Sequence, residues 1–215
     1  MELAPLTLED APAWAELLAT AFDRSPADMR QLLGWLHQGR ELVAWGAWDA
    51  DRLVAQYACL LTHLYLPHSQ TIVEAGMSLN MAVHPDYRGR GLIKQVSKPV
   101  YEAVQARGGL AGVGFSNANG VKVDRHSQSY GYQVCGQLQP ALAWIPPRRS
   151  RATLELTDTL PPSFHCPTAT LNGLASFVNT DQFIYHRYAQ HPFRRYCFGL
   201  WREGENINGL IVYRP

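Results

Sequence analysis

The sequence predicts an α/β fold, and three stretches of the chain carry that prediction. Residues 79–107 read as a strand, a tight basic glycine-rich turn and a helix. Upstream, residues 7–61 read as two amphipathic helices followed by two strands. Downstream, residues 110–145 repeat the order strand, helix, strand.

Each element has a local reason. Thr7-Leu8-Glu9-Asp10 is a helix-start signature, and Ala11, Trp14, Leu17, Leu18 and Ala21 then recur at helical spacing. Ser25-Pro26-Ala27-Asp28 is a second start, with proline accommodated in the first turn; Met29, Leu32, Leu33 and Leu36 form its apolar face. Glu41 to Trp48 and Leu53 to Leu61 read as strands joined through Asp49-Ala50-Asp51-Arg52, a hairpin.

The third strand is the most informative. Leu79, Met81 and Val83 alternate with Asn80 and Ala82, and His84-Pro85 stops the ladder. Arg88-Gly89-Arg90-Gly91 then opens a helical run from Leu92 to Arg107, closed by Gly108-Gly109. Backbone N–H groups at a helix start, next to glycines that let a ligand approach closely, form an anion site. The ligand implied is a phosphate or pyrophosphate; the plain alternative is a mere connecting turn. No Gly-Lys-Ser/Thr follows as a P-loop requires, and no third glycine follows as a dinucleotide fingerprint requires.

The segment from Met81 to Lys94 resembles the coenzyme A pyrophosphate loop of the GCN5-related N-acetyltransferase (GNAT) superfamily. Its pattern, Gln/Arg-x-x-Gly-x-Gly/Ala after a short apolar triplet, is matched by Arg88, Gly91 and Met81-Ala82-Val83. Ile93 departs at the final small position and would crowd one backbone approach. The resemblance covers roughly residues 1–146 by element order, and it implies a mixed α/β (α+β) sheet with a mostly antiparallel first half. It also implies acetyl-CoA as co-substrate. Arg88, Gly89, Arg90, Gly91, Leu92, Ile93 and Lys94 would hold the pyrophosphate, and Met81, Ala82 and Val83 would bind the pantetheine arm through their main chain. The next strand would splay away to leave a gap for that arm. Asn117, in Gly114-Phe115-Ser116-Asn117, is the corresponding cofactor contact, with helix capping as its plain alternative. Gly131-Tyr132 supplies the Gly-aromatic pair of one subgroup.

Acyl transfer from a thioester needs a deprotonated amine, a polarised carbonyl and, in some enzymes, a proton for the leaving thiolate. The resemblance places a backbone N–H near the end of the Leu79–Val83 strand against the thioester oxygen. It places the family's glutamate at Met77, so Glu74 is the nearest carboxylate; its plain alternative is a solvent-facing strand end. The family's acidic tyrosine falls at Ser127, with His126 beside it and Tyr130 as a shifted phenol. No acidic cluster marks a polyamine or aminoglycoside pocket. The expected acceptor is a primary amine on a small molecule, and a non-catalytic acyl-CoA-binding or interaction domain is the competing class.

At 215 residues the chain has room for one good-sized domain plus an appendage, or for two small domains. Its 47% hydrophobic and 17% charged content fit a globular core, and a net charge of +1 gives no pull toward nucleic acid or acidic membranes. Four separated cysteines and eight scattered histidines form no metal-ligand spacing, so no metal is expected and a reducing cytoplasm is. Neither a signal peptide nor a membrane-spanning run is read.

Residues 147–215 are expected to form a C-terminal extension beyond a 1–146 acetyltransferase domain. It begins with a linker rich in Pro, Arg, Ser and Thr, and a helix is expected near Leu171 to Val178. Two strands, Tyr196 to Trp201 and Gly209 to Tyr213, form a hairpin. The resemblance likens this region to the start of a second, degenerate copy of the fold. The hairpin either belongs to such a copy, or completes a sheet in the first domain or in a partner subunit, which leaves a homodimer open.

Overall fold

The structure, a computed structural model, describes residues 1–115, 153–161, 164–165, 175–204 and 206–214. Asn117, His126, Ser127, Tyr130, Gly131, Tyr132, the strand expected from Gln133 to Ile145 and the boundary at residue 146 lie outside the described residues.

The elements run β1 (Glu2–Pro5), α1 (Ala11–Phe22), α2 (Pro26–Gly39), β2 (Leu42–Asp49), β3 (Arg52–Leu66), β4 (Thr71–Val83), α3 (Leu92–Ala106) and β5 (Ala111–Val113). The C-terminal part contributes β6 (Thr153–Thr157), β7 (Ser176–Phe177), α4 (Asp181–Ile184) continuing as a π turn (Tyr185–Ala189), β8 (Cys197–Glu203) and β9 (Asn206–Tyr213). Strands β1 to β5 lie in sequence order; the first four are antiparallel and β5 joins β4 in parallel. The expected mixed sheet is observed.

The helix starts form as their caps dictate. Thr7 and Asp10 make a reciprocal capping box ahead of α1, and the Ser25 hydroxyl accepts the Asp28 N–H at 3.0 Å ahead of α2. Helices α1 and α2 cover one face of the sheet, where Trp14, Leu17, Leu18 and Leu33 pack on Ala44, Leu53, Ala58 and Ala82. The other face takes α3, whose stripe of Leu92, Val96, Val100 and Val104 packs on Val43, Ala55, Tyr57 and Cys59. Each such buried aliphatic side chain contributes about 1.5–3 kcal/mol. β1 was not anticipated, because a four-residue edge strand containing Pro5 shows no apolar alternation.

One feature of β4 overturns the expected alternation. Pairing with β3 runs to Ala58↔Leu79 and resumes at Gln56↔Ala82, so Tyr57 faces two residues, Asn80 and Met81. Asn80 sits at φ +50°, in the left-handed region that asparagine tolerates better than most residues. The extra residue flips the strand's parity. Met81 and Val83 pack toward α3, as Gly76 does, whereas Leu79 shares the α1–α2 side with Ala82.

The C-terminal part differs from its reading in two places. β6 forms inside the stretch read as linker, and it pairs with β8 to make a separate three-stranded sheet, β6-β8-β9. The hairpin is observed, and among the described residues it pairs with β6 and not with the first sheet. The described end of the helix expected near Leu171 to Val178 is instead β7, which pairs with Leu64 and Tyr65 of β3. β3 outruns β2 there and leaves an edge to be filled.

Candidate functional site

The site is built around the C-terminal half of β4. His84 ends the strand: its N–H reaches the Val54 carbonyl at 2.8 Å, and its Nε2 accepts from Arg52 at 2.6 Å. Pro85 to Tyr87 form a single 3-10 turn, and the chain then crosses Gly89 and Gly91 at φ +77° and +68°. Gly91 caps α3 without any side-chain hydrogen bond among the described residues, at the end of a helix where backbone N–H groups point outward. A Cβ added at either glycine would meet nothing within 4 Å, so the approach to those N–H groups is open. Arg88, Arg90 and Lys94 are exposed around it. Arg90 is pre-placed, its guanidinium 4.6 Å from the Tyr87 ring centroid and donating to the Asp86 carbonyl at 3.0 Å. Leu92 is buried and Ile93 packs partly on the same core, so both anchor the helix start from within.

Strand β4 also keeps an edge that is unpaired among the described residues. Its pairing with β5 covers only Ala75–Met77 against Ala111–Val113, and among the described residues no strand pairs with Ser78–Val83 on that side. Ladder pairing of β4 with β5 therefore stops at Met77, with Gly114 still against the Ser78 side chain just before the bulge.

On the α1–α2 side, the bulge opens into a cavity of about 240 Å³. Leu32, Trp35 and Leu36 of α2 wall it, with Leu60, Met77, Leu79 and Asn80 of the sheet. The C-terminal part closes it with Phe183, His186, Arg187, His191 and Arg194. Trp35 holds this wall in place. Its indole N–H donates to the His186 carbonyl at 3.3 Å, the His186 ring stacks on it at 4.8 Å, and the His191 ring lies 4.7 Å away. Burial, then the Arg187, Arg194 and His186 charges, pushes the His191 imidazole down to about 4. A second cavity, about 390 Å³, lies beyond His186 and Gly39 and has no β4 residue in its wall.

The structure brings Met81, Ala82, Val83, Arg88, Gly89, Arg90, Gly91, Leu92, Ile93 and Lys94 together along one strand, turn and helix start. It does not bring Glu74 to the bulge. Six positions separate Glu74 from Asn80, a rise of about 20 Å. Glu74 faces His63 across the ladder, 3.8 Å between side chains, on the parity of Gly76 and so away from the cavity. Sequence reasoning missed Asn80, His186, Arg187, His191 and Arg194. The one local signal was an asparagine within the apolar run Leu79–Val83.

Comparison with known proteins agrees with this geometry. The family model for the acetyltransferase (GNAT) domain matches residues 2–134. A search of curated proteins finds no match. Among solved structures, the ribosomal-protein-alanine N-acetyltransferase of Brucella melitensis superposes with a TM-score of 0.52 at 21% identity, over 66% of this chain and 100% of that one. An apo aminoglycoside 6'-N-acetyltransferase from Acinetobacter haemolyticus gives 0.54 at 16%, over 67% and 99%. An acetyltransferase from Clostridium acetobutylicum, solved with acetyl-CoA, gives 0.51 at 14%, over 66% and 95%. These likenesses share the fold, and the family match spans the bulged strand, the glycine turn and α3: the chain belongs to the GNAT acetyltransferase family.

Proposed function

We propose that the protein transfers an acetyl group from acetyl-CoA to a primary amine of a small molecule, by direct attack in a ternary complex. The observation that carries this reading is the bulged strand β4. One end leads to a helix start without a side-chain cap, one edge is unpaired beyond Met77 among the described residues, and one face opens into a cavity. The residues present suit coenzyme A. The N–H groups of Leu92, Ile93 and Lys94, with Arg88 and Arg90, take the pyrophosphate, and Gly89 and Gly91 admit it. The main chain of Met81, Ala82 and Val83 takes the pantetheine arm as a strand takes a neighbour. Asn117, outside the described residues, is the candidate for a further contact to the donor.

Acetyl-CoA, when bound, supplies the activated acyl group. The bulge at Asn80 leaves a main-chain N–H off the ladder to polarise the carbonyl oxygen as it gains charge. The amine nitrogen bonds to the acyl carbon as the carbon–sulfur bond breaks. The nitrogen then releases its proton to solvent, and the sulfur takes one. The burial and arginine charge that push the His191 imidazole down also disfavour an ammonium in the cavity, which favours the amine as its free base, and no carboxylate lines the cavity among the described residues. Tyr130 and Ser127 are the candidates for protonating sulfur, and Glu74 acts at most through water.

Thiol release and product mass, followed together, test the reading. An amine-dependent rise in free coenzyme A with a matching acetylated product supports it. Acetyl-CoA binding without amine-dependent thiol release would favour a non-catalytic binding domain. In the same assay, whichever of Tyr130→Phe and Ser127→Ala slows turnover without loss of donor affinity identifies the acid, and no effect of either removes both from that role.

A further inference from the structure

The cavity beside Asn80 has an unusual wall: an apolar body and a cationic rim. Leu32, Leu36, Leu60, Met77 and Leu79 supply the body. Three arginines, Arg40, Arg187 and Arg194, line it, and no carboxylate does so among the described residues. Arg40 is occupied, since it donates to the Thr62 hydroxyl and the Val178 carbonyl and lies 3.8 Å over the Phe183 ring. Arg187 is placed by rings, 5.7 Å from Trp35 and 5.8 Å from Tyr188, and Arg194 is exposed. Neither pairs with a carboxylate among the described residues. Asp181, in the wall of the neighbouring cavity, is held by His165 at 2.8 Å.

A guanidinium beside an apolar wall is desolvated on one side, which strengthens its attraction for an anion and its repulsion of a cation. A cavity of about 240 Å³ also falls below the ~300–1,000 Å³ of pockets for drug-sized ligands, so the occupant is small. We propose that the acceptor amine also bears an anionic group, carboxylate or phosphate, which Arg187 and Arg194 of the C-terminal part bind while the amine meets the bulge at Asn80. This rests on the acetyltransferase reading and deepens it. It gives the C-terminal part a function, the choice of acceptor, and it excludes polycationic amines.

The test is acetylation of matched amines by the full chain. Phenylalanine is set against phenethylamine, and phosphoethanolamine against ethanolamine; the first pair reads carboxylate, the second phosphate. Spermidine and kanamycin stand for polycations. Within at least one pair, the anionic member should be preferred by about tenfold or more in kcat/KM. Arg187→Gln and Arg194→Gln should each shrink that preference by about threefold or more, mainly through KM, with acetyl-CoA affinity unchanged. Arg187→Lys should restore part of it. The exposed Arg194 keeps the test meaningful should the Arg187 variant fold poorly.

A preference for neutral or polycationic amines would overturn the proposal, as would one that survives both glutamine variants. Acetyl-CoA binding with no member acetylated would also overturn this acceptor class and leave the donor site standing. Failure of the native chain to bind acetyl-CoA would remove the acetyltransferase reading beneath it.

Discussion

The hydroxyl of Tyr87 donates a 2.6 Å hydrogen bond to the Asp49 carboxylate, tying the glycine-rich turn to the β2–β3 hairpin. That bond is the main reason the phenol's pKa is raised. The same ring carries Arg90, so one tyrosine fixes both the path of the turn and a cation upon it.

Tyr87→Phe should therefore weaken acetyl-CoA binding more than it weakens the fold. The bond is exposed to water, so its loss should change stability little. Loss of a pre-placed turn should lower affinity by about three- to tenfold. Calorimetry and thermal melts on one preparation separate the two effects; an unchanged affinity would show that the turn orders itself without this anchor.

Gly91→Val tests the helix start. The left-handed backbone there costs a non-glycine residue about 1–2 kcal/mol, and the added side chain has open space to occupy, the space assigned to the pyrophosphate. Acetyl-CoA affinity should fall by at least about tenfold, with only a modest drop in melting temperature. Full affinity in a folded variant would move the phosphate site elsewhere.

Gly39→Ala tests how the C-terminal part is held. A Cβ at Gly39 would collide with the His186 ring, so the ring stacked on Trp35 must move. Stability should fall by about 1–3 kcal/mol. Amide exchange over residues 181–189 should quicken, and Gly39→Ala with His186→Ala should recover much of the loss. Unchanged exchange in the single variant would mean that this contact does not hold the segment.

His191 carries a pH signature. Its folded value near 4 lies below the ordinary 6.5, so between those values the unfolded chain binds the extra proton. Its contribution is fully present above pH 6.5 and is lost as pH falls toward 4. His37, lowered by burial, adds in the same direction. Melting temperatures from pH 7 to 4.5 should fall less steeply in His191→Gln than in the native chain; parallel curves would contradict the assignment.

What the sequence revealed, and what it hid, follows the range of the interactions. Thr7, Ser25 and Gly91 marked their helix starts because a cap is decided within three or four residues. The basic turn was readable for the same reason. The bulge was hidden, since the slip at Asn80 exists only against Tyr57 on β3. β7 was hidden likewise: Ser176 and Phe177 are extended because β3 outruns β2 and offers an edge. The acceptor cavity was the least legible part. Trp35 and Arg187 stand far apart in the chain, and only the docking of His186 on Trp35 and Gly39 brings them to one wall.

The central claim is that the start of α3 and the edge of β4 beyond Met77 form one coenzyme A site. Calorimetric titration of the full chain with acetyl-CoA, coenzyme A and ATP tests it most directly. The account predicts micromolar binding of both coenzyme A forms and much weaker binding of ATP, because ATP lacks the pantetheine arm that β4 pairs. No binding of either coenzyme A form, or ATP binding as tightly as both, would contradict it.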